Sequence, residues 1–202
     1  MFTAHTLESA PAASRRLMEA TMKHQGHLPS AVALLAESPE LLGAFLKASA
    51  TFEATTLDPL ARETVIMTMA TTNGCHLCVA MHTARLATLE ADPAVITALR
   101  AGEPLSDPRL LAIQQFTLRV LATTGEVADD DLRAFLAAGF SRRNALEVVL
   151  GIGTYTMSTF GNRLVRAPLD NQPRVDRQPP AGGQLSAAVN QLSAAVKSSS
   201  TS

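Results

Sequence analysis

Two cysteines, Cys75 and Cys78, stand three positions apart, with His82 four residues further on and Glu63 twelve residues before the first. The thiolate, not the thiol, is the nucleophile, so what such a set can do depends on a base that takes the proton. On a helix Cys75, Cys78 and His82 fall at i, i+3 and i+7, along one stripe. His82 lies one turn beyond Cys78, placed to take its proton directly or through a water, and a carboxylate at Glu63 would orient and polarise the imidazole. A helix N-terminus beside a base lowers a thiol's pKa. A second thiol three residues away can condense with a sulfenic acid on the first to give a disulfide. Across a helix start, that spacing keeps the Cα atoms within the ~4.4–6.8 Å a disulfide needs. These are the requirements of a dithiol peroxidase.

The elements that must position these groups can be read from the same stretch, Asp58 to Leu89. Asp58-Pro59 is a helix start, with Asp as N-cap and Pro in the first helical position. Thr71 to Gly74 reads as a stop, because Asn and Gly accept the left-handed conformation that ends helices. A second helix then opens at or just before Cys75. On the first arm Leu60, Ile66, Met67 and Ala70 form an apolar stripe, and Glu63 falls inside it, where a carboxylate is costly without a partner. On the second arm Val79, Leu86 and Leu89 continue the stripe of Cys75, Cys78 and His82 toward the core. At roughly 1.5 Å per residue, Glu63 is about 16 Å up one arm and His82 about 12 Å up the other, so an antiparallel hairpin brings them together.

Other chemistries use the same residues. Two cysteines can be inert core residues. Cys75, Cys78, His82 and Glu63 are enough ligands for zinc, but zinc sites usually draw on two separate knuckles and only one exists here. His76, inside the C-x-x-C, is expected to be exposed; electrostatic tuning of the thiols is the lesser of the roles open to it. His24 and His27 form an H-x-x-H around Gly26 in a turn, a solvated or capping arrangement. Tyr155 reads as a packing residue, and no cofactor-binding motif is present.

Composition sets the bounds. Of 202 residues 47% are hydrophobic, 17% charged and 4% aromatic, with no Trp. Abundant Leu and Ala favour an all-α fold, and charge is low against a typical ~25%. So much apolar surface on one helical domain points to a homo-oligomer. A net charge of -1 argues against nucleic acid as a partner. No apolar run approaches the ~20 residues of a membrane span, and MFTAHTLESA lacks the features of a signal peptide, so a cytoplasmic location is expected.

In chain order, a helix is expected from Ser14 to Gly26, then short helices opening at Pro29 and Pro39, with Leu41, Leu42, Phe45 and Leu46 as a buried face. After the hairpin come Asp92-Pro93 to Arg100, a helix from Asp107-Pro108, one capped by Asp129 to Asp131 and ending at Gly139, and a last long helix capped by Ser141. The small residues Gly151, Gly153, Thr154, Ser158 and Gly161 of that last helix suit close packing, within the chain or between subunits. Residues 1–166 read as one helical domain with its core motif at 58–90, and 167–202 as a polar, disordered tail. Within that tail QLSAAV occurs twice, at 184–189 and 191–196. Leu185, Ala188, Val189, Leu192, Ala195 and Val196 would fall on one stripe if it were helical.

The pattern Glu63, Cys75-x-x-Cys78-x-x-x-His82, with LPSAVALLAESPELLGAFL upstream and AAGFSRRNALEVVL downstream, resembles the alkylhydroperoxidase (AhpD-like) branch of the carboxymuconolactone decarboxylase family over roughly residues 25–165. The resemblance implies an all-helical fold assembling as trimers or hexamers. It implies Cys78 as the peroxide-attacking thiolate, Cys75 as the resolving thiol, and His82 with Glu63 as a proton relay. Electrons would come from a dithiol such as a lipoyl group or a thioredoxin-like partner. The best-known members carry a histidine directly before the second cysteine; here that position is Leu77, and the histidine is His76. The decarboxylase branch generally lacks the C-x-x-C. The expected activity is therefore reduction of alkyl or hydrogen peroxides, with a general dithiol–disulfide oxidoreductase, or a redox-sensing or zinc-stabilised interaction protein, as alternatives. Spacing assigns the same labour to the thiols: His82 at i+4 reaches Cys78 more easily than Cys75. Cys75, nearer the turn, is expected to be the more accessible to a bulky reductant.

Overall fold

The computed structural model describes residues 2–170. Among them lie nine helices and no strand: α1 (Ala12–Gln25), α2 (Ser30–Leu35), α3 (Pro39–Glu53), α4 (Pro59–Thr72), α5 (His76–Thr88), α6 (Pro93–Ala101), α7 (Pro108–Ala122), α8 (Asp129–Ala137) and α9 (Arg142–Leu164). The fold is all-α, as composition and periodicity indicate. No helix among the described residues is long and apolar enough to cross a membrane.

The Asp-Pro pairs start three of these helices. Asp58, Asp92 and Asp107 accept the backbone N–H groups of Ala61, Ala94 and Leu110 at 2.9, 2.8 and 2.8 Å. The proline that follows each one sits where no intrahelical donor is required. Ser141 opens α9 with a capping box shared with Asn144. Elsewhere the boundaries differ from expectation. Helix α1 begins at Ala12, directly after Pro11. Helix α3 is not short but runs 15 residues, because nothing after Pro39 breaks it. Only Leu42 of its expected apolar face is fully buried; Leu41, Phe45 and Leu46 are half-buried. Asp129 to Asp131 form the first turn of α8, where they complement the helix dipole, and Ala128 occupies the cap.

Helix α4 is the axis of the molecule, packed against α3, α5, α6, α7 and α9. Every residue from Glu63 to Ala70 is buried, so its apolar surface is wider than one stripe, and Leu60 lies at its edge. Thr64 and Thr68 fit this setting because their hydroxyls donate to the carbonyls of Leu60 and Thr64 within the helix. Helix α9 approaches closely at Gly151, where a Cβ would lie 2.8 Å from the Phe52 ring. Gly151, Thr154, Ser158 and Gly161 are buried within the chain, while Gly153 is exposed.

The helical body reaches past residue 166. Ala167 N–H donates to the Asn162 carbonyl at 2.9 Å. The Asp170 carboxylate accepts the Ser30 backbone N–H at 3.1 Å and the Ser30 hydroxyl, tying this segment to the start of α2. The QLSAAV repeat, like the rest of 171–202, lies outside the described residues.

Candidate active site

Helices α4 and α5 form the expected hairpin. Between them Gly74 takes φ 62°, a left-handed conformation that a side chain would strain. Cys75 is the N-cap of α5, in the place usually held by Ser, Thr, Asp or Asn, and its sulfur accepts the Cys78 N–H at 3.4 Å. Helix α9 braces the turn: Asn73 Nδ2 donates to Thr159 Oγ1 at 2.8 Å, and Arg163 Nη1 donates to the Asn73 carbonyl.

Both thiols are free and buried, Cys75 at 2% exposure and Cys78 at 3%. The expectation that Cys75 is the more accessible does not hold. Its capping role turns the sulfur inward, and Ala31 and Ala167 pack over the cluster of Ala70, Cys75, Leu77 and Cys78. His76 points outward and is exposed, as expected for the outer face of the first turn.

The Cys78 sulfur sits in a polar cradle supplied by α9. Asn162 Nδ2 donates to it at 3.5 Å, and the Ser158 hydroxyl lies 3.9 Å away. The same Nδ2 reaches Ser158 Oγ at 3.3 Å. A hydrogen bond from the Cys75 thiol is the strongest influence on Cys78; Asn162, the charge of His82 and Ser158 act in the same direction. Against the opposing effect of burial, they hold the Cys78 thiol down to about 6. Cys75 is pushed far up, first because its proton is held by the Cys78 sulfur, then by burial and the neighbouring thiolate charge. One thiol is therefore ionised at neutral pH and the other is not.

Across the hairpin, His82 Nδ1–H donates to Glu63 Oε2 at 2.8 Å, with side-chain exposures of 18% and 4%. That bond assigns the proton to Nδ1 and leaves Nε2 as the nitrogen that can accept one. Tyr155 packs edge-on to the imidazole, 5.5 Å between ring centres. The Tyr155 phenol is pushed up, chiefly by burial, despite a hydrogen bond with Ser49. His82 acts on Cys78 by charge and makes no direct hydrogen bond to its sulfur, so proton exchange between them calls for a small movement or a water.

Glu63, Cys75, Cys78 and His82 thus converge as their spacing predicts. Asn162 and Ser158 were not anticipated, nor was the contact of Tyr155 with His82. A signal existed: Val148, Gly151, Tyr155, Ser158 and Asn162 recur every three or four residues, so two polar groups interrupt a buried stripe of α9, the anomaly that singled out Glu63. His24 and His27 are exposed and stay apart from the site, His27 Nδ1–H donating to the Gln25 carbonyl at 3.2 Å. Among the described residues no three His, Cys, Asp or Glu side chains form a group that could hold a metal ion.

The site is thus a buried dithiol at a helix start, with one low-pKa thiol and a His–Glu pair alongside, on an all-α scaffold. Residues 36–113 match the Carboxymuconolactone decarboxylase family, a span that contains all four hairpin residues but stops short of α9. The fold is similar to the alkylhydroperoxidase AhpD core of an uncharacterized peroxidase-related protein from Ralstonia eutropha JMP134 (TM-score 0.75, 22% identity, 84% of this chain and 92% of that one). It is similar also to an uncharacterized peroxidase-related protein from Silicibacter sp. TM1040 (TM-score 0.67, 20% identity, 80% and 86%). A third likeness is to a variant of the debrominase Bmp8 in complex with 2,3,4-tribromopyrrole (TM-score 0.67, 13% identity, 85% and 92%). A comparison with curated proteins finds no match. The family match thus spans the hairpin, and the likeness to the solved structures shows a shared all-α fold.

Proposed function

We propose that the protein is a thiol-dependent peroxidase that reduces alkyl or hydrogen peroxides through a Cys75–Cys78 dithiol/disulfide cycle. The observation that carries this reading is the Cys78 thiol held at about 6 beside the His82–Glu63 pair. Cys78 attacks one peroxide oxygen as the thiolate, with its proton held on His82. The O–O bond breaks, the sulfur becomes a sulfenic acid, and the leaving alkoxide takes the proton back from the imidazolium. Glu63 holds the imidazole in the tautomer that leaves Nε2 facing this exchange. The Cys75 thiol then attacks the sulfenic sulfur, and a disulfide and water result. An external dithiol, such as a lipoyl group or a thioredoxin-like partner, restores both thiols. Because both sulfurs are buried, that reductant needs a slender reach or a local opening around Ala31 and Ala167. A reducing compartment such as the cytoplasm suits this cycle.

Four exposed apolar residues of α9, Leu146, Val149, Phe160 and Leu164, lie on one face and support assembly into a homo-oligomer, a trimer or hexamer. Light scattering at micromolar concentration should show more than a monomer.

The test of the activity is dimedone labelling of single-cysteine variants after one equivalent of peroxide. Cys75→Ser should be labelled on Cys78, and Cys78→Ser should not be labelled at all. Labelling of Cys75 alone would reverse the assignment, and labelling of neither would remove the peroxidase reading. A second reading draws on the fold it shares with Bmp8: the same two electrons could reduce a carbon–bromine bond, giving a C–H bond, bromide, a proton and the disulfide. Bromide release from a bromopyrrole, with no peroxide consumption, would favour it.

A further inference from the structure

Asn162 is 6% exposed, and its two amide corners are treated unequally. Nδ2 donates to Cys78 Sγ at 3.5 Å and to Ser158 Oγ at 3.3 Å, while Oδ1 is buried with no hydrogen-bond partner among the described residues. The residue's main-chain carbonyl is satisfied by Ala167 N–H, so the vacancy is confined to the side chain. Buried amide oxygens are almost always paired, and an exception calls for a reason. Here the open acceptor belongs to the same planar group that touches the nucleophilic sulfur.

We infer that Asn162 is a substrate-engaging catalytic residue: Nδ2 holds the Cys78 sulfur, and Oδ1 accepts the O–H that a hydroperoxide brings to it. The inference rests on the peroxidase reading and narrows its substrate to peroxides carrying a free O–H. When the thiolate attacks the terminal oxygen of R–O–O–H, the O–O bond breaks and an S–O bond forms. The sulfur gives up two electrons, and the transferred oxygen keeps its hydrogen as S–O–H. The alkoxide R–O⁻ departs and takes a proton from His82. In the transition state and in the sulfenic acid alike, an O–H stands beside the sulfur, within the reach of the vacant Oδ1. Cys78 is itself only 3% exposed, so an opening that admits a peroxide to the sulfur admits it to the amide. A disulfide or an alkyl halide brings no such hydrogen and gains nothing from Oδ1.

The experiment compares two reagents on the Cys75→Ser protein, in which only the first step occurs and a hydroxyl can still donate to Cys78. tert-Butyl hydroperoxide carries the O–H; iodoacetamide needs only the thiolate. Both rates are taken at one pH near neutrality, where His82 can still supply a proton, and each is divided by the thiolate fraction that the variant's alkylation profile gives. Asn162→Leu should slow the hydroperoxide at least about tenfold more than it slows alkylation, the worth of one hydrogen bond. Asn162→Asp keeps an acceptor oxygen and should hold the ratio of the two rates within about threefold of its parent. Should the leucine variant fail to fold by circular dichroism, Asn162→Ala is read the same way. Equal falls with both reagents would make Asn162 a thiolate donor only and overturn the inference. A parent protein that reacts with hydroperoxide no faster than free cysteine would overturn the peroxidase reading, and this inference with it.

Discussion

Among the described residues two carboxylates are buried between helices, and they are treated in opposite ways. Glu147, on α9, is saturated: it accepts the Thr56 N–H at 3.0 Å, the Thr56 hydroxyl, Asn144 Nδ2 at 2.8 Å and Arg143 Nε at 3.0 Å. Burial alone would raise its pKa, but those donors outweigh it and hold the carboxyl below the usual range. Glu63, on α4, has one side-chain partner among the described residues, the His82 imidazole at 2.8 Å. A carboxylate fixed by four donors is a staple, here joining the loop before α4 to the first turns of α9. A carboxylate given a single partner that can itself gain and lose a proton has the arrangement of the proposed relay. Both groups are desolvated; the difference is the number and kind of donors around them.

The comparison can be broken most directly at the relay. Glu63→Gln and His82→Ala should slow sulfenic acid formation on Cys78 by roughly 10²–10⁴-fold, the usual worth of a positioned acid–base group. Glu63→Gln should leave the thermal midpoint near that of the parent, while His82→Ala, which strips the buried Glu63 of its partner, should lower it without unfolding the protein; dimedone labelling rates and calorimetry are the readouts. Glu147→Gln should do the reverse. It should keep the labelling rate per folded molecule and lose roughly 2 kcal/mol of stability, or ~4–8 °C, because buried donors lose a charged acceptor. A relay variant that only unfolds, or a Glu147 variant that only loses activity, would erase the distinction.

The staple also carries a pH signature. Its folded pKa is depressed, so its contribution is present above the unfolded carboxyl value, about 4.3, and is lost as pH falls through the folded one. The gap in stability between wild type and Glu147→Gln should therefore close on acidification.

The thiol pair sharpens the contrast with a smaller effect. Alkylation of Cys78 followed against pH should rise with a midpoint near 6, well below that of a free thiol. Cys75→Ala removes the strongest donor and should move that midpoint upward, whereas Cys75→Ser, which keeps a hydroxyl, should move it less. A midpoint unchanged by the alanine would shift the weight to Asn162 and Ser158.

Asp170 supplies the smallest case, a part-exposed carboxylate on the backbone N–H of Ser30. A chain ending at Ala167 should be less stable than one ending at Asp170 by about 1 kcal/mol, the usual worth of such a contact. Equal midpoints would show that this contact contributes nothing measurable.

Local rules in the sequence were enough to determine the hairpin and its contents. Asp58-Pro59, Asp92-Pro93 and Asp107-Pro108 start helices because the signal is contained within a few residues, and Gly74 ends α4 for the same reason. The meeting of Glu63 with His82 followed from counting residues back from one turn, since two arms joined by a short loop have only one register. Boundaries without a local stop signal, such as the length of α3, were not legible in this way. Neither was anything that depends on a helix eighty residues away. How many donors each buried carboxylate receives, why Cys75 is as deeply buried as Cys78, and the placing of Asn162 and Ser158 against the sulfur were decided by the packing of α9 on α4 and α5. Sequence periodicity reports that a face is buried; the partners on that face, and with them the pKa of Cys78, come from elements the period does not describe.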